Sequence, residues 1–131
     1  MKKKVKRAIV TPDKHFPYED KPAIKALVKA INLVKPDIYV DLGDTGEWES
    51  VSLWKWKKKN KPPLEYIIPI DRALDKVNCK ERHFCEGNHD NWLNRFVETY
   101  PYLSQYKVKK AIKLDERGYT YHPFGKFLKI G

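Results

Sequence analysis

The sequence predicts an α/β fold with a mostly parallel sheet and flanking helices. Three observations carry this. Short apolar runs alternate with longer segments of helical period, in the order strand, helix, strand, helix, strand, which is the order of βαβ units. The chain has 131 residues, the length of one domain. It is 41% hydrophobic and 13% aromatic, enough apolar material for a core and too much for a disordered chain.

Val5 to Val10 reads as the first strand, stopped at Thr11-Pro12-Asp13 because proline cannot donate to a ladder. From Lys21 to Lys35 the period becomes helical. Ile24, Leu27, Val28, Ile31 and Val34 share one face, while Lys21, Lys25 and Lys29 line another. Asp20 stands at the N-cap and Pro36 closes the segment. Asp37 to Leu42 is the second strand and runs into Gly43-Asp44. Val51 to Pro63 is basic and aromatic, punctuated by a double proline. Leu64 to Val77 contains a helix in which Pro69 must lie near the start or force a kink. Glu81 to Cys85 is the third strand. Gly87-Asn88 after it is ordinary turn chemistry, since both residues tolerate left-handed angles. Asn91 to Tyr100 looks helical and Pro101 breaks it. The tail has β-like runs around Gly118 to Tyr121 and Phe127 to Ile130.

Composition narrows the function classes. No apolar run approaches the length of a membrane span, and no signal-type apolar region follows Met1-Lys2-Lys3-Lys4. No membrane partner is expected. Two cysteines make no disulfide framework, so a reducing cytoplasm is expected, that of the host if the chain is viral. Lys plus Arg number 27 against 17 acidic residues, a net charge of +10. That excess favours polyanionic partners such as nucleic acid, although lysine-rich surfaces also serve solubility.

Each predicted strand ends in acidic or imidazole residues: Asp13-Lys14-His15, Asp41-Leu42-Gly43-Asp44, and Gly87-Asn88-His89-Asp90. Singly each has a plain explanation, for Asp13 a turn and for Asp44 a helix cap. In a parallel sheet, however, the three loops converge at the strands' carboxyl edge, where ligands bind. Carboxylates gathered there repel unless cations lie between them. Carboxylate, imidazole and amide oxygen together suit Mn²⁺, Fe²⁺ or Zn²⁺ better than Ca²⁺.

Asp13-x-His15, Gly43-Asp44-x-x-Glu47 and Gly87-Asn88-His89-Asp90, in that order, resemble the D-x-H, G-D-x-x-D and G-N-H-D/E blocks of calcineurin-like metallophosphoesterases. The surrounding "PDKHFPYED" looks like the compact members encoded by bacteriophages. The resemblance implies part of an αββα sandwich and hydrolysis of a phosphoester, as a phosphomonoesterase, phosphodiesterase or nuclease. It implies two divalent metal ions, Mn²⁺ first, with Fe, Zn or Ni as alternatives. By it, Asp13 and His15 bind the first metal, Asp44 bridges both, and Asn88 binds the second. His89 matches the catalytic histidine facing the phosphate. Glu47 stands where the family has an Asp that orients this histidine, lengthened by one methylene. Proton donation requires an imidazolium, and hence an acid beside the ring. Two cations roughly 3.5–4 Å apart lower the pKa of a bridging water and clamp the phosphate oxygens. Asp41 and Asp90 are expected to be supporting residues.

The family also places histidines after the third block, and only His122 lies beyond His89. Residues 1–131 are therefore expected to form a single metallophosphoesterase-like domain that is C-terminally incomplete and poorly active alone. A complementing C-terminal fragment is then a candidate partner, beside the phosphoester substrate. The alternative class is an inactive, basic nucleic-acid-binding module that retains the fold. Arg95, a turn or so past the third block, is a candidate phosphate ligand, with a plain surface arginine as the equal reading. Trp54 to Lys59 interleaves aromatics and lysines, as single-strand surfaces do, but a helix with a buried tryptophan stripe is the favoured reading. His83 and Cys85 share strand parity, for which buried core is the favoured reading.

Overall fold

The computed structural model describes residues 4–52 and 61–130; Trp54 to Lys59 lie outside them. Four strands, β1 (Ala8–Thr11), β2 (Ile38–Asp41), β3 (Glu81–Cys85) and β4 (Tyr119–His122), form one sheet in the order β1-β2-β3-β4. Every neighbouring pair is parallel. Between them run α1 (Lys21–Val34), α2 (Pro63–Leu74), α3 (Asn88–Thr99) and the short α4 (Val108–Ala111). Successive strands step across the sheet in one direction, so right-handed crossovers put the helices on one face. Ile31 of α1, Ile70 of α2 and Leu93 of α3 accordingly share a buried cluster with Tyr39, Phe84 and Tyr119 of the sheet. Burial of Ile70 alone contributes roughly 1.5–3 kcal/mol. The α/β class expected from the sequence is the class observed. No helix among the described residues is long and apolar enough to cross a membrane.

The first helix follows its sequence signals. The Asp20 carboxylate accepts the Ala23 N–H at 3.0 Å, capping the first turn. At the other end Lys35 turns left-handed, φ 46°, ahead of Pro36. Pro69 lies inside α2, where its missing N–H removes one bond from the helix ladder.

The main differences from expectation are two shifted boundaries, one missing strand and one added helix. β1 starts at Ala8 rather than Val5: the Arg7 N–H is taken by the Asp37 carboxylate at 2.9 Å instead of by a strand. α3 starts at Asn88 rather than Asn91: Gly87-Asn88-His89-Asp90 is the first turn of a helix, not a free turn. The Asp90 carboxylate bonds back to the Gly87 N–H at 3.1 Å and closes that turn. Phe127 to Ile130 is not a strand. No neighbouring strand among the described residues offers it partners, and Phe127 is fully exposed. Between α3 and β4, α4 and its flank bury Val108, Ile112 and Leu114, where the sequence suggested no element.

Candidate metal centre

The parallel sheet brings the ends of β1, β2 and β3 to one edge, and the loops that follow are bonded to each other. The Asp13 N–H donates to the Gly43 carbonyl at 3.2 Å, His15 to Asp44 at 2.9 Å and Phe16 to Thr45 at 2.8 Å. Glu47 returns a bond to Phe16 at 2.9 Å. Asp13, His15 and Asp44 take left-handed backbone angles, φ 49°, 49° and 50°. Lys14, between the first two, turns inward instead. Its ammonium meets Asp41 Oδ2 at 2.8 Å with both side chains buried. The other Asp41 oxygen accepts the Gly43 N–H at 3.0 Å and the Thr45 hydroxyl at 2.9 Å. Asp41 thus ties together the two loops that carry the candidate ligands.

The third loop packs backbone to backbone on the second. A Cβ on Gly43 would lie 2.3 Å from both the Cys85 carbonyl and the Gly87 nitrogen. A Cβ on Gly87 would lie 2.2 Å from Asp44 Oδ1 and 2.4 Å from the Asp44 nitrogen. Both glycines are therefore required by close approach. Asp90, fully buried, accepts the Asp44 N–H at 2.8 Å, the Gly87 N–H at 3.1 Å and Trp48 Nε1–H at 3.0 Å. Burial pushes its carboxyl up to about 7, against the pull of the Trp48 and Gly87 donors. Asp44 Oδ1 accepts the His89 N–H at 2.8 Å, which fixes the side chain toward the edge.

Two donor groups result. Single ligand atoms of Asp13, His15 and Asp44 lie within 4.8 Å of one another, and so do those of His15, Glu47 and His89. Ligands on opposite sides of one ion are about 4.0–4.4 Å apart at bonds of about 2.0–2.2 Å. Shifts of a few tenths of an ångström would close either group on a cation, and the mix of carboxylate and imidazole suits Mn²⁺, Fe²⁺ or Zn²⁺. The residues fit divalent metal.

Glu47 serves both histidines. Its carboxylate meets His15 Nδ1 at 2.6 Å, leaving His15 Nε2 directed to Asp13 at 3.7 Å. That is the orientation a metal-binding imidazole takes when a carboxylate holds its other nitrogen. The Glu47 carbonyl meets His89 Nδ1 at 2.8 Å, with the carboxylate at 3.6 Å. So the sequence reading, in which the Glu47 carboxylate orients His89, describes its longer contact; the shorter one is to His15. The two rings stand edge to face, 4.8 Å apart, and Trp92 stacks on His89 at 3.9 Å.

The remaining sequence candidates lie outside these two donor groups. Asn88 is exposed at the first position of α3, one residue before the His89 N–H that bonds Asp44. Arg95 is six residues past His89, about two-thirds of a turn round the helix. It lines a separate cavity of about 390 Å³ with Glu86, Asn94 and Lys107. His122 ends β4, its Nε2 2.9 Å from His83 Nδ1, and His83 Nε2 reaches Glu81 at 3.1 Å. Burial, then the neighbouring His83, holds the His122 pKa below the ordinary histidine value. Cys85 is half-buried, and burial raises its thiol pKa. Lys14, Thr45 and Trp48 were not singled out from the sequence; no local pattern marks a lysine that pairs across 27 residues.

A model of the calcineurin-like phosphoesterase family matches residues 6–128. The gene 54 protein of Mycobacterium phage D29 is 28% identical over 142 aligned positions, covering 95% of this chain and 53% of that protein. The gene 54 protein of Mycobacterium phage L5 is 27% identical with the same coverage. The chain spans about half the length of the curated relatives it matches. No solved structure matches it significantly. Since the family match begins before β1 and ends beyond β4, the chain belongs to the calcineurin-like phosphoesterase family.

Proposed function

We propose that this chain supplies the metal-binding half of a binuclear phosphoester hydrolase that works in the host cytoplasm of a phage. One observation carries the reading: Asp13, His15 and Asp44 offer ligand atoms within 4.8 Å of one another at the sheet edge, with His89 beside them. Asp13, His15 and Asp44 would hold one cation, and Asp44 with the Asn88 amide oxygen would begin the second site. Mn²⁺ is the expected metal, with Fe, Zn and Ni as alternatives. When bound, such a pair activates a water and neutralises charge on the phosphate. The chain's own residues then have distinct tasks. Glu47 fixes both imidazoles, His15 through its carboxylate and His89 through its carbonyl. With Nδ1–H donated to the Glu47 carbonyl, His89 keeps Nε2 for a phosphate oxygen and, as the imidazolium, for a proton to the leaving group. Lys14 and Asp41 hold the ligand loops in register.

The second cation has few ligands among the described residues, so a complementing C-terminal segment bearing further histidines is the expected partner. Calorimetry tests the reading: Mn²⁺ should bind weakly, Asp44→Ala should abolish most of the heat, and His122→Ala should not. Equal loss from His122→Ala would move the site to the His83–His122 pair. Adding the complementing segment should restore hydrolysis of bis-p-nitrophenyl phosphate, and His89→Ala should then lower it about 10²–10⁴-fold. Turnover that ignores His89→Ala would refute the assigned role.

A further inference from the structure

We infer that α3 presents a stacking platform for single-stranded nucleic acid, running away from His89. An α-helix turns about 100° per residue. His89, Trp92, Phe96 and Tyr100 therefore lie on one stripe, spanning about 16 Å. The rings fall into two close groups along it, His89 with Trp92 and Phe96 with Tyr100 and Tyr102. Trp92 stacks on His89, Phe96 and Tyr100 have centroids 5.0 Å apart, and Tyr102 follows 6.1 Å from Tyr100. The stripe also emerges from the protein as it leaves the metal edge. Trp92 is half-buried, Phe96 is 37% exposed, Tyr100 41% and Tyr102 75%.

A run of exposed aromatic rings, not aliphatic ones, offers π-faces to bases of any identity. Beside it stands one cation with no acidic partner among the described residues. Arg95 projects from the adjoining face of α3 into the cavity that Lys107 and Lys109 also line. Lys107 faces Glu98 at 3.8 Å and Lys109 faces Asp115 at 3.3 Å, while Glu86 accepts from Tyr121, Asn91 and the Phe124 N–H, so Arg95 is the cation left for a phosphate. The whole chain carries +10. Rings for bases and cations for phosphates are the two parts of a single-strand surface. The platform deepens the hydrolase reading and rests on it in one respect: a strand stacked along this stripe leads its backbone to His89. Binding itself needs no metal.

The experiment measures anisotropy of a labelled twelve-nucleotide oligothymidine, and of a duplex of equal length, on the full chain in EDTA. The single strand should bind more tightly than the duplex. Phe96→Ala and Tyr100→Ala, both at exposed positions, should each weaken it about 5- to 150-fold while leaving thermal unfolding unchanged. Arg95→Ala should weaken strand and duplex alike and lower the salt slope by about one. Wild-type affinity in both aromatic variants, or equal affinity for strand and duplex, overturns the platform. So does concentration-dependent self-association that the aromatic variants abolish, which would make the stripe a protein interface. Strand binding in EDTA by a chain that takes up no Mn²⁺ would keep the platform and reject the hydrolase reading. Mn²⁺ uptake without strand binding would do the reverse.

Discussion

Lys14→Met tests whether the ligand loops depend on a buried ion pair. The Lys14 ammonium and Asp41 carboxylate are 2.8 Å apart, with side chains 6% and 0% exposed. Removing one partner of such a pair typically costs about 3–5 kcal/mol, because the other charge stays buried without compensation. Asp41 retains the Gly43 N–H and the Thr45 hydroxyl, so the lower end, about 3 kcal/mol, is expected. Asp41→Asn should cost a similar amount by stranding Lys14. Asparagine still offers an oxygen to Gly43 and Thr45, so the double variant should lose less than the two singles together, with a coupling of at least about 2 kcal/mol. Urea unfolding at constant m gives the free energies. Because Lys14 is flanked by Asp13 and His15, Mn²⁺ affinity should fall in each single variant and recover in part in the double. A cost below about 1 kcal/mol for Lys14→Met, or strict additivity, would refute the reasoning.

Three further outcomes follow. Gly87→Ala places a Cβ 2.2 Å from Asp44 Oδ1 and 2.4 Å from its nitrogen, so the bonds from His89 to Asp44 and from Asp44 to Asp90 must yield, at about 1.5–3 kcal/mol each. Calorimetry should then show weakened Mn²⁺ binding, and wild-type affinity would contradict the close-approach account. Asp90 titrates near 7 when folded against an ordinary 3.8, so between those values the folded state holds a proton that the unfolded state has lost. Its contribution to stability therefore falls as pH rises from about 4 to 7, by at most about 4 kcal/mol, and the pH dependence of wild type minus Asp90→Asn should show that slope. A difference that rises with pH would reverse the assignment. His122 has the opposite sign: its lowered pKa means the unfolded state protonates first, so stability is lost as pH falls below 6.5, and His122→Gln should flatten that limb.

The parts of this fold that were legible in the sequence are those written in local spacing. The apolar stripe of α1, its Asp20 cap, the run of β3 and the order of the three motif blocks depend on residues a few positions apart. Parallel pairing then followed from alternation, and with it the convergence of the blocks. What stayed hidden depends on contacts between distant residues. Gly87-Asn88 looks like a turn until Asp90 is seen closing a helix turn while bonding Asp44 and Trp48, some 46 and 42 residues away. Glu47 looks like a partner for His89 alone, because nothing local shows that the β1 loop brings His15 to within 2.6 Å of its carboxylate. Phe127 to Ile130 has strand composition but finds no partner among the described residues, and composition cannot supply one.

The left-handed residues explain why the loops are so heavily bonded. Asp13, His15 and Asp44 each sit at φ near 50°, where a side chain costs about 1–2 kcal/mol and glycine would cost little. Glycine would bring no ligand atom, so the conformation and the chemistry demand different residues at the same positions. Conflict of this kind persists only where surrounding structure over-determines the backbone. Here the surroundings are identifiable. Three bonds run from the β1 loop to the β2 loop, one runs back from Glu47, and the Lys14–Asp41 pair anchors both from below. That backbone brings ligand atoms of Asp13, His15 and Asp44 within 4.8 Å of one another. On the reading proposed above, a divalent cation would sit among those atoms, and the bonded backbone would fix where. The specificity of such a centre would then lie in the bonded loops more than in the ligands themselves.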